Sequence, residues 1–210
     1  WYGQTQSPYD RLPAKAEKSV RKAVWGLSKN ATGLMIRFRS DAPVIQVRYK
    51  VTGQTGFPHM PATGVSGVDL GGRRIIKEKI WCQGRYNFKD TVSYTFTDLT
   101  ANDHYHKKGR EYRLFLPLYN SVEWLEIGVP QSASFTALPV RQDLPLVVYG
   151  TSIAQGACAS RPGMAWTSIL GRKMDRPLIN LGFSGNGPME KEVIELLSEV
   201  EAKAYILDCF

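Results

Sequence analysis

The stretch LVVYGTSIAQG, residues 146–156, gives the strongest indication of the fold. Its first four residues form a continuous apolar run, which is typical of a parallel strand buried on both faces. The run ends at a Gly-Thr pair, and Ser152 follows where a strand-to-helix turn is expected. A serine in such a turn has an exposed hydroxyl and a backbone N–H that is free to bind an oxyanion. The stretch differs from the G-x-S-x-G elbow, because Ala154 replaces the last glycine.

Downstream of this stretch the chain alternates between helix and strand patterns. Short strands are expected at 178–181 and 204–209, and two stripes of apolar residues recur at helical spacing (Trp166, Ile169, Leu170, Met174; Val193, Ile194, Leu197, Val200). The order β-α-β-α-β predicts the start of a three-layer α/β/α domain with a parallel sheet. Only about 65 residues are present, whereas a doubly wound domain has on the order of 150 or more. We therefore expect this domain to be cut short at its third strand.

Upstream, residues 1–140 have the period of half-buried antiparallel strands. Apolar and polar residues alternate in 34–39, 45–51, 92–96 and 112–116, and turn residues separate these segments. Trp124 interrupts the alternation of 122–129, which predicts a bulge. The sequence thus predicts an α+β multi-domain chain. An antiparallel β-sandwich of jelly-roll type occupies residues 1–140, and the first portion of the α/β/α domain occupies residues 141–210.

The composition narrows the classes of partner. The formal net charge is +8, but the basic residues are scattered along the strands, which is typical of a solvated face; attraction to an acidic glycan is the alternative. Basic stripes with interleaved aromatic residues are absent from the sequence, which argues against nucleic acid, and no apolar run reaches the ~18 residues of a membrane span. The three cysteines have neither disulfide-framework nor metal-site spacing, and the N-terminus has no export-signal pattern.

A second glycine-rich turn, NLGFSGNG at residues 180–187, follows the next expected strand. Small residues let backbone amides approach a ligand closely, which suits a second oxyanion donor. The alternatives are an ordinary turn or a phosphate cradle. Neither phosphate-binding glycine pattern, G-x-G-x-x-G or G-x-x-x-x-G-K-[ST], fits either loop.

Taken together, these motifs resemble a known family. GTSIAQG, ACASRPGMAW and INLGFSGNG resemble the first two sequence blocks of SGNH/GDSL serine hydrolases, in particular the bacterial type with an N-terminal β-sandwich. HMPATGVSGVDL resembles the Gly-x-Asp-Leu signature of that sandwich, and EYRLFLPLYNSVEWLEIGV resembles its later strands. The resemblance implies a flavodoxin-like hydrolase domain and a nucleophile at Ser152. It also implies an oxyanion hole from the Ser152 N–H, the Gly185 N–H and an Asn side chain, with no metal or other cofactor.

The chain departs from the family pattern in two ways. Thr151 stands where the family usually has Asp, and that residue is not the proton acceptor. The family's oxyanion Asn follows the third strand and its Asp-x-x-His dyad lies later still, whereas the sequence ends at Phe210. We therefore expect the 210-residue chain to be inactive. Asn186 belongs to the second block and is not expected to be the family's Asn; we retain it, with Thr151, as a candidate substrate contact.

Five residues outside the two turns are further candidates for a role in the site or the fold. Of the three histidines, His104 and His106 lie in a polar loop, and we expect them to be solvated. His59 lies in a Gly/Pro-rich loop that could line the substrate pocket. Cys158 is expected to be a small buried hydrophobe, and Asp69 an anchor within the sandwich.

The function that the resemblance implies is ester hydrolysis by two-step acyl transfer through Ser152. An acylated carbohydrate is the expected substrate by analogy with sandwich-bearing esterases, which places the protein in the periplasm or outside the cell. Two alternatives stay open. One is an acyltransferase on the same scaffold, and the other is a carbohydrate- or protein-binding sandwich that carries an inactive hydrolase domain. The sequence leaves the oligomeric state open.

Overall fold

A computed structural model describes residues 3–73, 79–82, 84–99 and 109–209, so His104 and His106 lie outside the described residues. The strands are β1 Met35–Ser40, β2 Ile45–Val51, β3 Asp69–Arg73, β4 Lys79–Cys82, β5 Gly84–Phe88, β6 Val92–Phe96, β7 Arg110–Phe115, β8 Val122–Gly128, β9 Phe135–Ala137, β10 Leu146–Gly150, β11 Leu178–Gly182 and β12 Ala204–Asp208. The α-helices are α1 Lys22–Ser28, α2 Ala62–Val65, α3 Ser152–Gln155, α4 Trp166–Lys173 and α5 Lys191–Ser198. Two 3-10 helices cover Ala14–Lys18 and Pro162–Met164.

Strands β1 to β9 form two antiparallel sheets, which confirms the predicted sandwich. Their orders are β4-β3-β7-β1-β9 and β5-β6-β2-β8. The apolar residues of the alternating segments fill the core between the sheets, with Phe38 and Tyr112 from one sheet and Val47 and Tyr49 from the other. In β2 the alternation is complete, because Ile45, Val47 and Tyr49 are buried while the residues between them are exposed. The bulge is confirmed as well, since the register between β2 and β8 shifts between Lys50 and Val51, opposite Trp124 and Val122.

The outer face of the five-stranded sheet is covered by the C-terminal part of the chain. Phe115 points away from the sandwich core, yet it is buried. It packs against Trp81, at 6.0 Å between ring centroids, and the Arg172 guanidinium of α4 lies 5.5 Å from its ring centroid. The alternation of a single strand cannot predict this burial, because the second layer comes from a distant part of the sequence.

Strands β10, β11 and β12 form the predicted parallel sheet. β10 lies in the middle, with Leu146 opposite Leu178 of β11 and Ala204 of β12. All five residues of β10 are buried, as its continuous apolar run requires.

Helices α4 and α5 lie where helices were expected, and α5 buries Val193 and Leu197 of its stripe. The buried face of α4 differs from its predicted stripe, because it consists of Thr167, Ser168 and Gly171 while Met174 is exposed. None of the helices within the described ranges is long and apolar enough to span a bilayer.

The N-terminal segment differs from the expectation of strands throughout residues 1–140. It forms helical turns whose side chains pack on the parallel sheet rather than in the sandwich. One apolar cluster joins Leu12, Ala16, Val20 and Val24 to Val147 and Tyr149 of β10, and to Leu181, Phe183, Val193, Leu196 and Leu197. The first four of these residues are spaced by four, a helical period that contrasts with the strand alternation farther on.

Arg11 fastens this segment to the sheet. Its guanidinium is fully buried and donates to four backbone carbonyls: Asn180 (3.3 Å), Gly182 (2.7 Å), Leu27 (2.7 Å) and Asn30 (2.9 Å). It also lies 4.7 Å from the centroid of the Phe183 ring. Burial lowers the pKa of Arg11 to about 9, so the side chain keeps its charge at neutral pH. The carbonyls of Asn180 and Gly182 belong to the end of β11, directly before the turn at residues 183–186.

We predict that Arg11→Met lowers the free energy of unfolding by about 3 kcal/mol, because a buried network of charge-assisted hydrogen bonds is lost and carbonyls are left unpaired. Urea unfolding followed by tryptophan fluorescence measures the change. The matched control is Arg85→Met at an exposed position of β5, for which we expect a change within about 0.5 kcal/mol. Equal effects of the two substitutions would contradict the role given to Arg11.

Candidate active site

The turns predicted to carry the chemistry open at the same edge of the parallel sheet. Gly150 pairs with Gly182 on one side and with Asp208 on the other, so the carboxyl ends of all three strands are level. Beyond these pairs, the Phe183 N–H donates to the Gly150 carbonyl at 2.8 Å. The second glycine-rich turn is therefore hydrogen-bonded directly to the strand that carries Ser152.

Ser152 is the first residue of α3 and is half-buried. Its carbonyl accepts hydrogen bonds from the amides of Gly156 (3.0 Å) and Ala157 (2.9 Å), which close this short helix. Within the part of the chain that the structure describes, no group hydrogen-bonds to Ser152 Oγ. The hydroxyl is thus presented at the sheet edge without a described base beside it. Thr151, the candidate before it, is half-buried at the N-cap of α3.

The turn at residues 183–186 is held by its own polar groups. The Asn186 amide N–H donates to the Phe183 carbonyl at 2.7 Å, and Asn186 Nδ2 donates to the Ser184 carbonyl at 2.8 Å. Gly185 has φ 68°, a conformation that glycine adopts without strain, and it is exposed at the tip. Gly187 lies so close to β10 that a Cβ there would come 2.5 Å from the Gly150 carbonyl oxygen. Glycine is therefore needed for the turn to pack on the strand end.

Gln155 joins the two turns and was not singled out by sequence reasoning, although it lies within the GTSIAQG motif. Its side chain is fully buried between them. Gln155 Oε1 accepts the Ser184 N–H at 2.8 Å, and Nε2 donates to the Leu118 carbonyl of the sandwich at 3.2 Å. One side chain of α3 thus fixes the second turn and contacts the sandwich.

Tyr119 connects Ser152 to the loop of His59, and it too was missed, since an isolated Tyr after a strand carries no sequence signal. The Tyr119 hydroxyl donates to the Ser152 carbonyl at 3.2 Å. Its ring contacts Phe57 edge-on at 6.0 Å between centroids, and Phe57 stacks on His59 at 5.8 Å. His59 is exposed. The loop of His59 therefore reaches the side of the sheet edge where Ser152 lies, through two intervening rings.

Asp69 does more than the sequence suggested, since it links the sandwich to the part of the chain that contains the parallel sheet. Its Oδ2 accepts hydrogen bonds from Arg161 Nε at 3.0 Å and from the Gly163 N–H at 3.1 Å. Both donors lie in the loop that follows α3. Burial raises the pKa of Asp69 to about 6, although Arg161 and the Gly163 amide act in the opposite direction.

The expectation that Cys158 is a small buried hydrophobe is wrong. Cys158 is exposed rather than buried, and its φ of 60° places it in a turn of the loop after α3. Among the described residues, no group of three or more His, Cys, Asp or Glu side chains is arranged to hold a metal ion.

Comparison with known families agrees with this geometry. Residues 1–135 match the family described as GxDLY, the N-terminus of SGNH hydrolase-type esterases, and residues 143–210 match the GDSL-like lipase/acylhydrolase family. The chain belongs to the GDSL-like lipases with a GxDLY N-terminal domain. The motif that names this domain contains Gly67, Asp69 and Leu70.

Two solved structures are similar to this GDSL-like chain. A GDSL-like lipase from Bacteroides ovatus ATCC 8483 has 34% sequence identity and a TM-score of 0.87, with 97% of this chain and 58% of that chain covered. The salicylyl-acyltransferase SsfX3 from a tetracycline biosynthetic pathway has 20% identity and a TM-score of 0.67, with 93% and 52% covered. The chain therefore spans between half and three fifths of the length of these two proteins. No curated protein matches the chain.

We predict that Gln155→Leu destabilises this GDSL-like chain by about 2 kcal/mol, because the buried Ser184 N–H loses its acceptor while the side-chain volume is nearly kept. Thermal and urea unfolding measure the effect. Gln142→Leu is the control at an exposed site, with an expected change within about 0.5 kcal/mol. A small effect at both positions would show that Gln155 does not fix the second turn.

We predict a pH dependence of stability that is specific to Asp69. Since its pKa is about 6 in the folded chain and about 3.9 when unfolded, the folded chain holds the proton more tightly. The contribution of Asp69 to the free energy of unfolding therefore falls as the pH rises from about 4 to about 6, by on the order of 3 kcal/mol. The free energy of unfolding should exceed that of the Asp69→Asn variant by more at about pH 4.5 than at about pH 7.5, as measured by urea unfolding.

The control for this measurement is Asp41→Asn. A hydrogen bond from the Ser134 N–H lowers the pKa of Asp41, so its stabilising effect is lost as the pH falls. The two substitutions should change the pH profile in opposite directions. Profiles that shift in the same direction would contradict the raised pKa of Asp69.

Proposed function

We propose that the protein is a serine ester hydrolase whose nucleophile is Ser152 and whose oxyanion hole includes the amides of Ser152 and Gly185. The observation that supports this most directly is the hydrogen bond between Phe183 N–H and the Gly150 carbonyl, which joins the two predicted turns at one sheet edge. Two backbone donors from neighbouring turns can address a single oxygen only if the turns meet in this way. Gln155 and Gly187 then keep the second turn in place beside the first.

The proposed reaction has two acyl-transfer steps. Ser152 Oγ attacks the ester carbonyl while a base takes its proton, and the two amides stabilise the tetrahedral oxyanion. The intermediate collapses to an acyl-serine as the protonated base returns its proton to the leaving alcohol. Water then attacks the acyl-serine, and the acid is released with regeneration of the serine hydroxyl. The family pattern assigns the base to the histidine of its Asp-x-x-His dyad, and the third oxyanion donor to the Asn that follows β12.

The proposed substrate is an acylated carbohydrate in the periplasm or outside the cell. Thr151, Asn186 and His59 are the proposed substrate contacts. Thr151 is the N-cap of α3, Asn186 lies in the second turn, and His59 stacks on Phe57, whose ring contacts Tyr119. The side-chain amide of Asn186 already holds the turn, so we expect its substrate contact to be made by its backbone or carbonyl oxygen. Transfer of the acyl group to an alcohol would use the same residues, with the alcohol in the place of water.

We predict that Ser152→Ala lowers the hydrolysis of p-nitrophenyl acetate by at least about 10³-fold in the protein that continues through the family's dyad, because the covalent route is removed. Ser198→Ala, at an exposed position of α5, should leave the rate unchanged. Release of p-nitrophenol is measured for each chain, and addition of a competing alcohol with product analysis separates hydrolysis from acyl transfer. Ser152-independent turnover in that protein would overturn the proposal.

The 210-residue chain provides a second comparison. Since no described group hydrogen-bonds to Ser152 Oγ, we expect this chain to hydrolyse the ester no faster than its own Ser152→Ala variant, as general-base assistance is worth roughly 10²–10⁴ in rate. Ser152-dependent turnover would mean instead that His59, His104 or His106 supplies the base.

A further inference from the structure

A cleft lies between the sandwich and the loop that follows α3, and Ser152 is not among the residues that line it. Its volume is about 480 Å³, which is in the range of small-ligand sites. The lining includes Thr63, Asp69, Trp81, Tyr86, Tyr94 and Arg161. It is bordered by β4 and β5, the edge strands of the two sandwich sheets, so it occupies the open side of the sandwich. Neither proposed catalytic turn contributes to this lining.

Aromatic rings form one wall of the cleft. Tyr86 is 56% exposed and rests on the buried Tyr94, with 5.3 Å between the ring centroids. Trp81 is half-buried and is held in place by the Arg161 guanidinium, 5.3 Å from its ring centroid, and by the close approach of Gly163. A large exposed aromatic ring on a rigid strand provides apolar contact area at a low cost in side-chain entropy.

Polar groups of both kinds face the same space. Asp69 supplies a carboxylate acceptor and Arg161 supplies guanidinium donors, and the two are paired at 3.0 Å between Arg161 Nε and Asp69 Oδ2. The Thr63 hydroxyl donates to the Ser160 carbonyl at 2.7 Å and fixes the rim of the cleft. Because the charges of Asp69 and Arg161 balance, the cleft offers hydrogen bonds without favouring an anion or a cation.

This combination matches the chemistry of a neutral sugar ring. A pyranose has an apolar face of C–H groups that stacks on an aromatic ring, and its neighbouring hydroxyls need donors and acceptors side by side. A purely apolar ligand would leave the carboxylate and the guanidinium desolvated without new partners, at a cost of several kcal/mol on the usual scales for buried polar groups. A charged ligand would be attracted by one member of the pair and repelled by the other, so the pair gives it no advantage over a neutral ligand.

The cleft and the Ser152 edge flank the same small apolar cluster. That cluster contains Met60, Val65, Leu118 and Ala165, with Phe57 and Tyr119 packed against it. Tyr119 contacts Ser152 on one side, while α2, which follows Met60, carries Thr63 to the cleft on the other. The loop from Gly156 to Met164 connects the two places along the chain. The cleft and the Ser152 edge are thus linked through one cluster of packed side chains and one loop.

We propose that this cleft is a glycan-binding subsite that takes a neutral hexose or pentose unit of the substrate, with the sugar ring stacked on Tyr86 and its hydroxyls bound by Asp69 and Arg161. The inference rests on the proposed esterase function for its biological purpose, but the binding itself does not require catalysis. The subsite holds an unacylated sugar unit and leaves the ester-bearing unit for the Ser152 edge.

The test is isothermal titration calorimetry with four neutral hexasaccharides: xylohexaose, cellohexaose, mannohexaose and chitohexaose. The Ser152→Ala chain is used throughout, so that turnover cannot affect the heat. We expect at least one of the four to bind, and Tyr86→Ala to weaken that binding at least about fivefold, as expected for loss of an aromatic stacking partner. Tyr86→Phe keeps the ring and should stay within about twofold. Trp124→Ala removes another exposed aromatic of the sandwich, outside the cleft, and should have no effect.

Two outcomes overturn the inference: none of the four sugars binds at millimolar concentration, or Tyr86→Ala and Trp124→Ala bind equally well. Tyr86 is exposed, so its substitution should not unfold the chain, and equal melting temperatures of the variants verify this. The esterase proposal and the subsite proposal are contradicted by different results. Ser152-dependent hydrolysis without sugar binding removes the subsite and leaves the esterase, whereas Tyr86-dependent binding without hydrolysis leaves the subsite alone.

Discussion

Burial of β10 on both faces is the constraint on which the rest of the structure depends. On one face of the sheet, Val147 and Tyr149 are covered by the N-terminal segment and α5. The opposite face is covered by α3 and α4. A parallel strand with no exposed face needs apolar partners on each side. The N-terminal residues and the helices that follow β10 therefore all pack on the sheet that this strand centres, and the end of the strand is where Ser152 is presented.

The arrangement of the sheet edge at Ser152 depends on hydrogen bonds between distant parts of the chain. Arg11 holds the carbonyls at the end of β11, and Gln155 holds the turn after it. The Leu118 carbonyl and the Tyr119 hydroxyl bring the sandwich into the same network. Each of these groups is buried or half-buried, so an unmade bond would cost more than an exposed one. The sandwich thus supports the edge of the hydrolase portion in addition to enclosing its own core.

The sandwich and the hydrolase portion meet at a polar contact that is flanked by apolar side chains. Asp69 reaches from β3 to Arg161 and Gly163, while Phe115 and Trp81 provide the apolar contacts beside it. Asp69 of the family's GxDLY motif is therefore placed at the junction, where it hydrogen-bonds to the loop that leaves α3. The same loop forms one wall of the cleft beside Tyr86, so the junction and the cleft share the loop that carries Arg161.

The two kinds of sheet, the bulge at Trp124, the helices after β10 and the family can all be predicted from the amino-acid sequence. These follow from local periodicity and from contiguous motifs, in which each residue carries its own signal. Three features become visible once the chain is folded: the N-terminal segment packs on the parallel sheet, Phe115 is buried on the outer face of its sheet, and Asp69 bonds to Arg161. In each case the partner lies far away in the sequence: a buried guanidinium or carboxylate has no periodicity, and its role depends on groups that folding alone brings within hydrogen-bond distance.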